Sequence, residues 1–372
     1  MASPTHPAAR NLLKTERLSA NPVPNQNSAL IETPALHRAA EILRTGGTVA
    51  FPTETVYGLG ANALSAAAVA NIFTAKARPS WDPLIVHIAS LTQLPQIAEI
   101  PAALAARVEL IAAAFWPGPL TLLLPRTSAI PDEVTAARPL VGVRIPAHPI
   151  AQALLTLVAL PIAAPSANLF GHTSPTTAAH VLEDLDGRID AVLDGGPTQV
   201  GLESTVLDPA TMTLYRPGAV TAAMIESATG LQVTIYTPPV QQTEAPESLP
   251  SPGVGIRHYA PAARLILIEI PTRNPSRELA EQTLTSGLAN AQQESSESIG
   301  LLLPTDWQIP TTGIKTYPWG NWNNQAELAH NLFAALRALD AAAVTTILCP
   351  IPTGEGIAAA LRDRLEKAAR PA

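Results

Sequence analysis

The chain has 372 residues, and 23 Lys and Arg against 30 Asp and Glu leave a formal net charge of −7, which argues against function through bulk electrostatic capture of nucleic acid. Apolar residues make up 47%, charged residues 14% and aromatics 4%, so global disorder and an aromatic base-stacking platform are both disfavoured. The single cysteine, Cys349, excludes an intrachain disulfide and a cysteine-based zinc site, and suits a reducing, cytoplasmic location.

In chain order, residues 1–28 are rich in Pro, Asn, Ser and Thr and read as a flexible tail without a signal pattern. A helix is predicted from Thr33 to the Gly46-Gly47 pair, then a short β-branched strand over 48–51. Ser65 caps a helix over 65–76. Strands follow at 84–88, 119–124, 141–145 and 161–165, with helices at 101–115 and 149–160. A helix over 175–185 is predicted with Ser174 as N-cap and Pro175 at its first position. Strands at 190–194, 203–207 and 212–216 and a helix over 221–229 complete an α/β domain with a mixed sheet, bounded at 29–236. Residues 237–262 are Pro-, Glu-, Gln- and Ser-rich, the composition of a linker. From 263 to 372 the pattern restarts with strands at 265–270, 299–303 and 345–350 between helices at 275–290, 325–342 and 355–369, a small doubly wound, Rossmann-like parallel α/β domain. No apolar run reaches 18 residues, so no membrane partner is expected.

Charge is scarce, so charge inside apolar segments is informative. Lys76 is the only lysine between residues 15 and 314. Pro79 biases Arg78 away from the helical region, so Lys76 and Arg78, two apart in extended chain, would face one anion. An ordinary solvated helix C-terminus is the competing account. His87 lies on a strand, where a structural histidine is the commoner outcome. Arg144 in VGVRIP shares its face with Gly142, which would leave open space for a carboxylate or phosphate beside the guanidinium. Ser166 and Asn168, again two apart, sit where a strand gives way to a polar loop, and Arg216 ends a strand before a turn. The Gly-rich stretch 194–205 matches neither a Walker nor a dinucleotide fingerprint. These residues collect at strand ends and loops of one domain, where α/β sites form.

Together the segments FPTETVYGLGANA (51–63), K-x-R-P (76–79), PLIVHI (83–88), FWPGPLTLLL (115–124), VGVRIP (141–146), PSAN (165–168), SPT (174–176), GLESTVLD (201–208) and RPG (216–218) resemble the threonylcarbamoyl-AMP synthase family, with its YrdC-like fold. The linker stretch SPGVGIRHYAP (251–261) and the C-terminal α/β pattern resemble the family's long form. The resemblance implies that L-threonine, bicarbonate and ATP, with Mg2+ accompanying the nucleotide, give threonylcarbamoyl-adenylate and pyrophosphate. The product would pass to proteins that transfer the threonylcarbamoyl group to tRNA. It further implies that Lys76 and Arg78 are catalytic, and that they contact ATP together with Asp82, Ser166, Asn168, Ser174, Arg216 and the linker's Tyr259. Thr55, His87, Arg144 and Ser204 would hold threonine, and the linker would fold over the site as a lid. Two departures stand out: Trp81-Asp82 replaces a frequent Asp-Asn pair, and Val254, Gly255 and Ile256 replace bulkier or basic residues. The competing reading is an RNA-binding module of the same fold without turnover, against which the acidic balance weighs. A carbamoyltransferase carrying zinc fingers is excluded by the lone cysteine.

Overall fold

The computed structural model describes residues 14–20, 33–237, 251, 258–270, 276–294 and 298–370. The divergent Val254-Gly255-Ile256 and most of the linker and N-terminal tail lie outside the described residues. The first sheet contains β1 (Glu16–Ser19), β2 (Val49–Phe51), β3 (Gly58–Asn62), β4 (Ile85–His87), β5 (Leu120–Pro125), β6 (Leu140–Arg144), β7 (Ile162–Ala163), β8 (Ala191–Asp194), β9 (Thr205–Asp208), β10 (Thr213–Arg216) and β11 (Thr234–Ile235). Their spatial order is β1-β8-β2-β3-β7-β4-β6-β5-β9-β10-β11. The pairings are mixed: β4 runs parallel to β6 and antiparallel to β7, and β5 runs antiparallel to β6 and parallel to β9. Both faces are covered. Ala50 faces one apolar cluster with Leu59, Val86 and Val143, while its neighbours Val49 and Phe51 face another with Leu36, Leu154 and Leu193, the period of two of a buried strand.

A second sheet holds β12 (Arg264–Glu269), β13 (Ile299–Pro304), β14 (Lys315–Gly320) and β15 (Thr346–Ile351), in the order β12-β15-β13-β14. Every pairing in it is parallel. The helices Arg277–Glu294, Gln325–Ala341 and Ile357–Ala368 follow β12, β14 and β15, as in a doubly wound unit, while β13 passes to β14 without a helix.

Three strands among others depart from the pattern read in the sequence. Glu16–Ser19, inside the expected tail, is an edge strand paired in parallel with β8, and the Thr15 hydroxyl donates to Ile189 O. β3 escaped notice because GLGAN reads as a breaker. A Cβ on Gly60 would lie 2.8 Å from Phe51 Cε1 and 2.9 Å from Ile162 Cγ2, so glycine here makes room for side chains from both flanking strands. β14, KTYPWG, carries Pro318, which an edge strand tolerates.

Helix ends follow local chemistry where the sequence supplies it. Ser65 accepts from Ala68 N, and the helix Ala66–Lys76 ends on Ala77 in the left-handed region, φ 50°. The expected helix from Pro175 starts later, at Ala178, with Thr177 as its N-cap. Pro175 O and Thr176 O instead accept from Tyr57 N and Thr198 N, which binds this stretch to other segments.

The second domain shares a core with the first. Val56, Leu202 and Tyr259 belong to the same buried cluster as Phe333, Leu336 and Leu361. Gly201, at φ +78°, sits against the helix Gln325–Ala341: a Cβ there would lie 2.5 Å from Ala329 O. Replacing Gly201 with Ala therefore combines backbone strain with a clash between domains. The expected cost is about 1–3 kcal/mol or more, and G201A should show a lowered, broadened or split thermal transition by scanning calorimetry.

Candidate active site

The first domain and the linker together border a cavity lined by Thr53, Thr55, Arg78, His87, Arg144, Ser166, Glu203, Ser204, Arg216, His258 and Tyr259, among others. One end is built on adjacent parallel strands. β4 and β6 place His87 opposite Arg144 in register. Arg144 Nε donates to Gly118 O at 3.1 Å and Nη1 to the Thr55 hydroxyl at 2.9 Å, while Nη2 lies 2.5 Å from Glu54 Oε1. Two of the five guanidinium N–H groups donate to the protein and a third nitrogen is ion-paired with Glu54, which fixes the fork and leaves donors for a further carboxylate. The open space expected beside Gly142 is absent: a Cβ there would meet Thr121 and Ile85 at 3.3 and 3.4 Å. Burial and the neighbouring Arg144 push His87 down to about 3, so it stands neutral.

The other end is cationic. Arg78 Nη2 donates to Pro83 O at 2.9 Å and pairs with Asp82 at 2.8 Å, both side chains buried. Arg216 Nε donates to Ser204 O at 3.0 Å and Nη2 to the Ser204 hydroxyl at 3.2 Å, and that hydroxyl also meets Thr121 Oγ1 at 2.8 Å. His258 and Tyr259 come from the linker and close this end. Ala260 N donates to Gly171 O, His258 packs edge-on against Phe170 at 5.5 Å, and Tyr259 stacks on Phe333 at 5.7 Å. Burial, followed by Arg78, Lys76, Lys367 and Arg216, holds His258 well below its usual value. Of these groups Arg78 and Arg216 border the cavity beside His258, so two guanidinium groups stand at this end.

The structure therefore brings Thr55, Arg78, His87, Arg144, Ser166, Ser204, Arg216 and Tyr259 to one cavity. Four other expected contacts, Lys76, Asp82, Asn168 and Ser174, do not border that cavity. Lys76 Nζ donates to Ser166 O and Asn168 O, each at 2.5 Å, and so clamps the PSAN loop from behind. With Ala77 left-handed, Lys76 and Arg78 do not project side by side as an extended chain would require. Burial first, then Arg78, lowers the Lys76 ammonium well below its ordinary value. Asp82 spends its carboxylate on Arg78. Asn168 Nδ2 donates to Leu169 O and His172 O, which ties off the same loop. The Ser174 hydroxyl donates to Glu203 Oε1 at 2.5 Å and caps no helix.

Sequence reasoning missed Glu54, Thr53, Glu203 and His258 as members of the site. The first two lie inside the quoted FPTETVYGLGANA segment. A buried cation needs a counter-charge, and Glu54, one residue from Thr55, was the available carboxylate.

A cavity that sets a fixed guanidinium and hydroxyls at one end and buried cations at the other, beside an aromatic pair, has the chemistry of a site for small anionic ligands. A family model described as "Telomere recombination", covering Sua5, YciO and YrdC proteins, matches residues 41–218, and one described as "Threonylcarbamoyl-AMP synthase, C-terminal domain" matches residues 220–370. The chain is 41% identical to the threonylcarbamoyl-AMP synthase of Pyrococcus abyssi over 91% of its own length and 95% of the relative's. It is also 41% identical to that of Bacillus subtilis, over 90% and 93%. The crystal structure of P. abyssi Sua5 complexed with L-threonine superposes with a TM-score of 0.83 at 38% identity, covering 95% of this chain and 98% of that one. The chain belongs to the threonylcarbamoyl-AMP synthase family.

The protonation of His258 gives a pH prediction. A histidine whose value is lowered by burial takes up a proton more readily when the linker undocks or the chain unfolds. The docked state is therefore most stable above about pH 6.5 and weakens as pH falls below it, by up to about 1.4 kcal/mol per pH unit. Urea midpoints at pH 7.5 and 5.5 should differ less for His258→Gln than for the native protein. The other buried histidines contribute equally to both proteins, and equal differences would place His258 outside the linkage.

Proposed function

We propose that this chain condenses L-threonine, bicarbonate and ATP into threonylcarbamoyl-AMP and pyrophosphate, for modification of tRNA by a separate transfer protein. The observation that carries this reading is the joining, in one cavity, of the Arg144–Thr55–His87 end to the Arg78–Arg216 end. The family membership supports it, as does L-threonine in the superposed Pyrococcus structure.

Arg144 takes the threonine carboxylate through its remaining N–H donors, with Thr55 and Ser204 near the side chain. Glu54 holds the guanidinium at the required angle. The amino group, in its free-base form, captures carbon dioxide derived from bicarbonate as a carbamate. A carbamate oxygen then attacks the α-phosphorus, and pyrophosphate leaves. Holding two anions within bonding distance costs Coulomb energy, which Arg78 and Arg216 offset in a water-poor pocket. Neutral His87 and the linker's His258 and Tyr259 keep water from the labile mixed anhydride. ATP gains access when the linker moves aside, and the lid closes over the bound substrates. Lys76 and Asn168 act by shaping the PSAN loop that presents Ser166 to the nucleotide.

Mg2+ belongs to the substrate in this reading. Among the described residues no three His, Cys, Asp or Glu side chains converge as a metal site, and the one carboxylate bordering the cavity, Glu203, is engaged by protein groups. The residues suit a metal carried in on the ATP phosphates, whose charge it would share. No helix among the described residues is long and apolar enough to cross a membrane, and buried Cys349 suits a cytoplasmic protein.

Pyrophosphate release should require threonine, bicarbonate and ATP together, and ATP turnover indifferent to threonine would sink the assignment. Arg144→Ala removes the clamp and strands Glu54. The threonine requirement should rise about 10- to 100-fold, the worth of charge-assisted hydrogen bonds to a carboxylate. The ATP requirement should change far less, and steady-state kinetics with each substrate varied in turn makes the comparison.

A further inference from the structure

Arg364 of the second domain pairs with a carboxylate that borders the site. Arg364, on the helix Ile357–Ala368, is fully buried, and its Nε pairs with Glu203 Oε2 at 2.8 Å. The other oxygen of that carboxylate, Oε1, accepts from the Ser174 hydroxyl at 2.5 Å. Arg364 Nη2 reaches Glu203 O at 3.5 Å, and its guanidinium carbon lies 5.3 Å from the centre of the Tyr259 ring. On its own helix it is locked by Asp363, which accepts from Arg364 Nη1 at 2.6 Å and from Lys367 Nζ at 2.9 Å.

Glu203 is the one carboxylate among the described residues that border the cavity, and it adjoins Ser204, on which Arg216 rests. Left alone, a buried carboxylate here would oppose a polyanion at the nucleotide end. It would also be free to swing onto Arg216 and take a cation from the phosphates. Arg364 prevents both. It does not itself border the cavity, so it acts through Glu203.

We propose that Arg364 is a positioning residue of the nucleotide end: it neutralises and orients Glu203, and through it fixes Ser174 and the backbone that presents Ser204 to Arg216. Because the same guanidinium lies against Tyr259, the second domain supports the docked linker and the phosphate-facing wall with one group. A lysine could supply the charge but not the planar fork. The proposal rests on the reaction assigned above, and the native protein's dependence on all three substrates tests that reaction separately.

The experiment compares Arg364→Gln, Arg364→Lys and the double variant Arg364→Gln/Glu203→Gln with the native protein. The ATP KM is taken from pyrophosphate release and the L-threonine Kd from calorimetry without ATP. Arg364→Gln should raise the ATP KM about tenfold or more while leaving threonine affinity within about twofold, and Arg364→Lys should raise it by a smaller factor. The double variant should recover much of the loss, because the stranded carboxylate is its main cause. A group serving only to dock the domain would lower the melting temperature and weaken both substrates alike, with no recovery in the double variant. That result would overturn the proposal. Should Arg364→Gln not fold, an ATP KM for Arg364→Lys equal to the native value would overturn it as well.

Discussion

Buried cations held by buried partners are the constraint on which this site depends. Arg78 rests on Asp82, Arg144 on Glu54 and Arg364 on Glu203, each pair almost sealed from solvent. Taking a charge out of water costs several kcal/mol unless it is paired and hydrogen-bonded, and losing one member of such a pair typically costs about 3–5 kcal/mol. The chain spends few charges, and these three buried guanidinium groups have a carboxylate close by in space, while buried Lys76 is held by two carbonyls. The result is a set of guanidinium forks already pointed before substrate arrives, so that little reorganisation remains when charge develops during transfer.

That constraint also explains the architecture. A mixed sheet lets β4 and β6 run parallel, so that His87 and Arg144 end side by side, while antiparallel β7 leads into the loop carrying Ser166 and β10, antiparallel to β9, ends on Arg216 at the cavity. The linker contributes aromatic cover, and the second domain contributes the surface on which that cover rests. Tyr259 lies between Phe333 and Arg364, and His258 N donates to Lys367 O at 3.4 Å. Further out, Arg337 pairs with Glu183 and Asp184, and His330 meets Gln199 O at 2.9 Å, which ties the second domain to the loops behind the site.

The division of labour among the polar residues is clearer in three dimensions than in any motif. Lys76 and Asn168 look like ligands by type, yet both point into the PSAN loop and satisfy its carbonyls. A loop that must present Ser166 to a ligand has backbone groups turned away from regular pairing, and in a buried setting each such group needs a partner. Ser174 illustrates the same point: its sequence context matches a helix cap, but a fully buried hydroxyl beside Glu203 gains more from a charged acceptor than from a helix end.

The sequence by itself determined the two α/β units, the linker between them, the Ser65-capped helix ending at Lys76 and most strands, because periodicity, capping residues and Pro or Gly punctuation are local. Its motifs also named eight residues that do meet at the cavity. Tertiary structure alone decided that β1 and the Gly-rich β3 are strands, since pairing with distant neighbours overrides local propensity. It also decided which polar residues face the cavity and which hold its walls, and that Glu203, bonded to Ser174, pairs with Arg364 across 161 residues of chain. Burial and counter-charge are long-range properties, and no local pattern encodes where a side chain finds its partner.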